Sequence, residues 1–186
     1  MACAFIQRVQ SLSGAMSRWF ADRKGAMAVE FALVALPFIF TILALFELAL
    51  ILLLSTTLDA STEKVARQIR TGQLQMQGTP ETADDFRLKV CNNLGWMQSQ
   101  CMANLSVDVR VFPRFANVTG NSPVTGGAID PNKLSFNMGN AGDIVVVTTY
   151  FQWQLITPGL HLGFNTLSSG KALITSVVTF RNEPYA

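Results

Sequence analysis

Charge is what this chain has least of. Lys, Arg, Asp and Glu make up 14% of its 186 residues, against about a quarter in ordinary soluble domains. That shortage excludes a uniformly solvated globule. Histidine is nearly missing too, since His161 stands alone, and no Ser/His/Asp set can be built around it without inventing geometry. Three cysteines, Cys3, Cys91 and Cys101, with one distant histidine do not make a zinc site. No phosphate-binding G-x-x-x-x-G-K-[ST] loop and no G-x-G-x-x-G after a strand occurs. The sequence therefore points to no catalytic residue, no cofactor and no metal. A net charge of +2 gives no reason to expect a nucleic-acid partner.

What is present is one apolar block. Sixteen residues separate Glu30 from Glu47, and only Pro37 and Thr41 among them are not plainly apolar. Leu48 to Leu54 continue the run. At about 1.5 Å per residue a helix of this length exceeds the roughly 30 Å hydrocarbon core of a bilayer, so residues 26–54 are expected to form a single membrane-spanning helix. Pro37 removes one backbone donor, which membrane helices tolerate with a kink. Arg8, Arg18, Arg23 and Lys24 precede the span, with only Asp22 opposing them. Basic flanks stay cytoplasmic, which places the N-terminus inside and the C-terminal part outside.

The block is too long for the h-region of an ordinary secretory leader, and no small-x-small cleavage site follows it. Before it, Phe5, Ile6, Val9 and Leu12 recur at helical spacing. Two readings stand level for that segment: an amphipathic helix on the inner membrane surface, or a disordered leader. Cys91 and Cys101 fall on the exported side with nine residues between them. In an oxidising compartment they are expected to form a disulfide rather than remain two buried thiols.

Two carboxylates lie within or beside the span. A carboxylate deep in a bilayer is costly unless neutralised or paired. Glu30 lies about one turn inside the near end, and Glu47 lies near the far end, where it can reach the outer interface. Charge alone favours interfacial positions for both.

The residues around Glu30 carry a resemblance. Arg23-Lys24-Gly25-Ala26-Met27-Ala28-Val29-Glu30-Phe31 resembles the processing site of type IV prepilins. The longer text, running through Ala32-Leu33-Val34 and Pro37 to Phe46-Glu47-Leu48, resembles the TadE-like family of tight-adherence (Tad, Flp) pilus systems. The resemblance implies a basic leader, residues 1–25, cut by a prepilin peptidase between Gly25 and Ala26. It implies that Glu30, followed by Phe31, pairs with the new amino group of Ala26 on a neighbouring subunit or on its own. It marks Glu47 as an intramembrane acidic residue without supplying a role that improves on an interfacial position. It implies other pilins and pilus-assembly proteins as partners in a hetero-oligomer, in the bacterial inner membrane with the C-terminal domain periplasmic, and a part in joining or priming the filament. The function so implied is that of a minor pilin or pseudopilin. The alternative is an uncleaved, membrane-anchored accessory protein that binds other pilus or secretion components.

Beyond the span, residues 55–72 read as an amphipathic extension of the same helix, with Leu58, Val65 and Ile69 on one side and Gly72 as its stop. Residues 73–186 read as an extracytoplasmic α+β domain. Thr79-Pro80 suggests a helix start, with Phe86 and Val90 facing a core, Gly95 ending the helix and Trp96 filling the adjoining core. Leu105, Val107, Val109 and Val111 alternate with polar residues as a half-buried strand that Pro113 ends. Residues 117–142 read as a long exposed loop with a short hairpin at Gly126-Gly127. Strands follow over 143–154, in a central position, and over 171–181. Leu160 to Leu167, around His161, is an apolar stretch that suits a second, short membrane-facing segment. The expected fold is α+β and pilin-like: a long N-terminal helix, a short helix and a roughly three-stranded antiparallel sheet.

Overall fold

The computed structural model describes residues 23–78, 80–120, 122–157 and 167–185. Most of the leader with Cys3, Thr79, and the stretch around His161 lie outside the described residues. The fold is the expected one. Helix α1 runs Arg23–Arg70 over 48 residues with Pro37 inside it, and the Thr41 hydroxyl donates to the Pro37 carbonyl at 2.8 Å. The chain forms two compact units, Met1–Phe46 and Glu47–Ala186.

In the first unit, residues 25–46 of α1 are exposed around the whole helix, with only Ala35 and Ala44 half-covered. No face of this apolar cylinder is buried among the described residues. Such a surface is unfavourable in water by roughly 25 cal/mol per Å² and suits lipid. It is the one candidate membrane span among the described residues.

In the second unit the pattern on α1 changes at Glu47. From there Ile51, Leu54, Leu58, Val65, Ala66 and Ile69 are buried, a recurrence every three to four residues that lays one stripe of the helix against the sheet. Truncating Leu58, which has no exposure, to alanine would cost about 2–5 kcal/mol. The helix closes with Gly72 at φ 74°. Gly72 N–H donates to Ile69 and Gln73 N–H to Gln68, the crossed pair of bonds that needs a left-handed residue at this position. The chain end returns here. Glu183 N–H donates to the Arg70 carbonyl at 2.8 Å, the two side chains form an ion pair at 2.9 Å, and the Tyr185 ring packs over Gly72.

Helix α2, Ala83–Asn93, begins three residues later than Thr79-Pro80 suggested. Its cap is Thr82, whose hydroxyl accepts from Asp85 N–H while the Asp85 carboxylate accepts from Thr82 N–H. This reciprocal box satisfies two otherwise orphaned donors, which Pro80 cannot offer. Phe86, Val90 and Cys91 face the core. From Gly95 the chain makes a 3-10 turn and then a short helix, α3, Gln98–Asn104. Cys91 and Cys101 are bonded, with Cα atoms 5.5 Å apart, so the disulfide ties α3 to α2. Trp96 is about half exposed and does not fill the core. Phe86 and Leu94 do, from the adjoining turns.

Strands β1 (Leu105–Phe112), β4 (Ile144–Gln154) and β5 (Lys171–Arg181) form an antiparallel sheet in the order β1-β4-β5. The register pairs Val107 with Thr149 and Thr149 with Ser176, so the row facing α1 is fixed across all three strands. Leu105, Val107, Val109, Val145, Val147, Phe151 and Ile174 supply its apolar part. A buried hydrogen bond of 2.9 Å joins the hydroxyls of Thr62 on α1 and Thr149 on β4. Central β4 is buried on both faces down to Phe151, as its near-continuous apolar run required. The 117–142 region carries the expected hairpin, β2 (Val124–Thr125) with β3 (Ala128–Ile129), turning on Gly126 and Gly127, both at positive φ. It is less open than its composition suggested. Val109 exchanges backbone bonds with Ser135 and Asn137, which covers the free edge of β1.

Candidate functional site

Three groups of residues singled out by the sequence are found in different environments. Gly25 lies in the first turns of α1 with nothing within 4 Å of where a Cβ would stand. Glu30 is exposed, Phe31 is 75% exposed, and Ala26 is exposed. Glu30 has no hydrogen bond or ion pair among the described residues. This end of α1 presents its groups outward, and the described residues supply them with no partner.

Cys91 and Cys101 come together, as described. The two residues are buried, and the bond is part of the core rather than a surface thiol pair.

Glu47 is shielded from solvent within the second unit; its exposure is 3%. One carboxylate oxygen accepts from Ile156 N–H and the other from Thr157 N–H, each at 2.6 Å. The Thr157 hydroxyl and the Trp153 indole stand beside the same carboxylate, although the indole nitrogen makes no hydrogen bond of its own. Burial of a carboxylate is tolerated when charge-assisted bonds to backbone N–H groups replace its water. These two donors belong to the segment that leaves β4, where the strand ladder has ended and the N–H groups would otherwise lack partners. Glu47 therefore joins the turn of α1 where burial begins to the corner that follows β4.

A second polar cluster lies on the sheet face away from α1. Asp108 is 2% exposed, pairs with Arg110 at 2.9 Å and accepts from Ser135 N–H at 2.7 Å. Arg110 also donates to the Lys133 carbonyl. Tyr150 lies nearby, its hydroxyl pKa raised by burial and then by the Asp108 charge. A hollow of about 320 Å³ borders Asp108, Tyr150 and Val177. Asp108 is held by an ion pair and a backbone donor, which makes this a structural brace. No cluster of three or more metal-ligating side chains occurs among the described residues.

The described residues thus define a protein with one apolar, unpaired helix segment leading into a disulfide-tied α+β domain. Residues 25–67 are matched by the family model of TadE-like proteins, and over that stretch the chain is similar to them. The single candidate span among the described residues fits a membrane-anchored protein. The matched stretch contains Gly25, Glu30 and Glu47 and ends before the sheet begins. No curated protein and no solved structure matches the chain. The partners of Glu47 escaped the sequence reading. Ile156 and Thr157 lie more than a hundred positions away, and backbone donors leave no residue-type signature.

Proposed function

We propose that this protein is a minor pilin or pseudopilin that takes part in assembling a tight-adherence pilus. The observation that carries the proposal is the coincidence of the TadE-like match, beginning at Gly25, with an α1 segment exposed all round over residues 25–46. In this reading residues 1–25 are a leader, a prepilin peptidase cuts between Gly25 and Ala26, and the N-terminal end of α1 lies at the cytoplasmic side of the inner membrane. The outer domain is periplasmic, where its disulfide is stable. Removal of the leader creates an α-amino group on Ala26. The exposed Glu30 carboxylate then offers that cation, on a neighbouring subunit, an ion pair in a medium of low dielectric. The pair would set axial register between helices.

Intact mass and N-terminal sequencing of the membrane-extracted protein test this. A mature chain beginning at Ala26 is expected. A chain retaining residues 1–25 in cells with an active prepilin peptidase would overturn it in favour of an uncleaved accessory protein. Glu30→Ala is expected to leave cleavage intact and reduce piliation, and unchanged piliation would remove Glu30 from the pairing role.

A further inference from the structure

The corner after β4 has an unusual combination of features. Its backbone is fixed, because Ile156 and Thr157 both donate to Glu47. Yet the Ile156 side chain is 74% exposed, in a loop where a polar residue would carry no desolvation penalty. The surrounding surface of α1 has the same character. In the second unit Leu50, Leu52 and Leu53 are exposed at 37%, 67% and 48%. The next exposed residues along the helix are Thr56, Asp59, Ala60, Glu63, Lys64, Arg67 and Arg70, all polar but the small Ala60. The free surface of α1 therefore changes from apolar to polar within about one turn, just after Leu53.

Helix length locates this change. From Met27 to Glu47 is 20 residue steps, about 30 Å of rise, which equals the hydrocarbon core. From Met27 to Leu53 is 26 steps, about 39 Å, which reaches into the headgroup layer. With the inner edge of the hydrocarbon set at Met27, Glu47 falls where the hydrocarbon ends, and the corner it holds falls at the same level.

We propose that Glu47 positions the corner after β4 as a membrane-seating element, with Ile156 entering the outer leaflet beside the α1 collar of Leu50, Leu52 and Leu53. The occupant of this apolar surface is the lipid of the bilayer that α1 crosses. Continuity with the fully exposed apolar surface of residues 25–46 and the abrupt polar changeover after Leu53 favour lipid over a protein partner. Glu47 is in this account a positioning residue: it turns two backbone donors inward so that the side chain between them faces out. The inference rests on the reading of α1 as a membrane span.

The test uses the full chain in lipid nanodiscs at one copy per disc, with Cys3→Ser and the disulfide left oxidised. Single cysteines carrying an environment-sensitive fluorophore are placed by Ile156→Cys, Leu36→Cys and Val177→Cys. Leu36 is 73% exposed within the apolar segment, and Val177 is 59% exposed on the sheet. The label at 156 is expected to be quenched by lipids doxylated near the headgroup and to have an iodide quenching constant several-fold below that at 177. Adding Glu47→Gln should raise iodide access at 156 and leave 36 and 177 unchanged. Iodide quenching at 156 equal to that at 177 would overturn the proposal. So would protection from both quenchers, which would mean that protein covers the corner. If the label at 36 is not quenched by doxyl lipid, the span reading fails and this inference fails with it.

Discussion

Replacing Glu47 by glutamine changes one atom and should loosen one corner of the fold. The carboxylate accepts two backbone N–H groups at 2.6 Å, one on each oxygen, at a site 3% exposed. Glutamine keeps one acceptor oxygen and presents its NH2 to the other donor. One charge-assisted bond is lost, worth about 1.5–3 kcal/mol, and a buried N–H is left without an acceptor, a penalty of the same order. These overlap, and about 2–3 kcal/mol is a reasonable net figure for opening the corner. Since 1.4 kcal/mol is a factor of ten in an equilibrium constant, amide exchange of Ile156 and Thr157 should accelerate roughly 30- to 150-fold. Hydrogen–deuterium exchange of the full chain in nanodiscs, read on a peptide covering residues 151–157, measures this directly. A peptide covering α2, Ala83–Asn93, serves as the internal reference and should not change. Unaltered exchange at the corner in Glu47→Gln would refute the idea that the carboxylate holds it. Accelerated exchange in both peptides would show general loosening instead.

Reducing Cys91–Cys101, ten positions apart, should lower the stability of the outer domain by about 3 kcal/mol in the chain-entropy account, visible as a lower denaturant midpoint with reductant; an unchanged midpoint would contradict it. Gly72→Ala should destabilise twice over, through a left-handed backbone costing about 1–2 kcal/mol for a residue with a Cβ and through a Cβ placed 2.3 Å from the Tyr185 ring. In a Tyr185→Ala background only the backbone part should remain, so additive losses in the double variant would be evidence against the contact. The Asp85 pKa is lowered, first by the Thr82 hydroxyl and then by its N–H. Its contribution is therefore complete above the ordinary carboxylate range and lost as pH falls through the lowered folded value. Asp85→Asn should flatten the acid limb of the stability–pH curve, and an unchanged limb would exclude the capping box as a contributor.

Elements whose signal is local were legible in the sequence. Leu105 to Val111 alternate with period two and form β1 as expected. The continuous Ile144 to Val147 run is the central strand because both of its faces are covered, and Gly126-Gly127 turns a hairpin because both residues adopt positive φ. The misses have physical causes. Pro80 drew the start of α2 toward Thr79, although Thr82 with Asp85 at the capping-box spacing was the stronger signal. Helix α3 has one buried residue, Cys101, so it shows no apolar period, and the covalent link to α2 does the work that a hydrophobic face does elsewhere. Trp96, expected in the core, lies about half exposed on the 3-10 turn Gly95–Met97. Of the candidate site, the resemblance that begins at Gly25 and the cysteine pair could be read directly. The Glu47 clamp could not, since its donors are main-chain groups brought close only by the completed sheet.

The two ties between α1 and the sheet have a mechanical consequence. At one end Glu47 holds the exit of β4; at the other, Arg70 holds the residues beyond β5 through Glu183. Between them the helix advances 23 residue steps, about 35 Å, and β5 spans ten steps, about 34 Å. Helix and strand are thus rods of equal length pinned at both ends. A pull along the helix axis loads both pins and the whole stripe between them together, in shear, and cannot peel the contacts apart one after another. A helix held this way can be drawn lengthwise without the domain being unzipped from it.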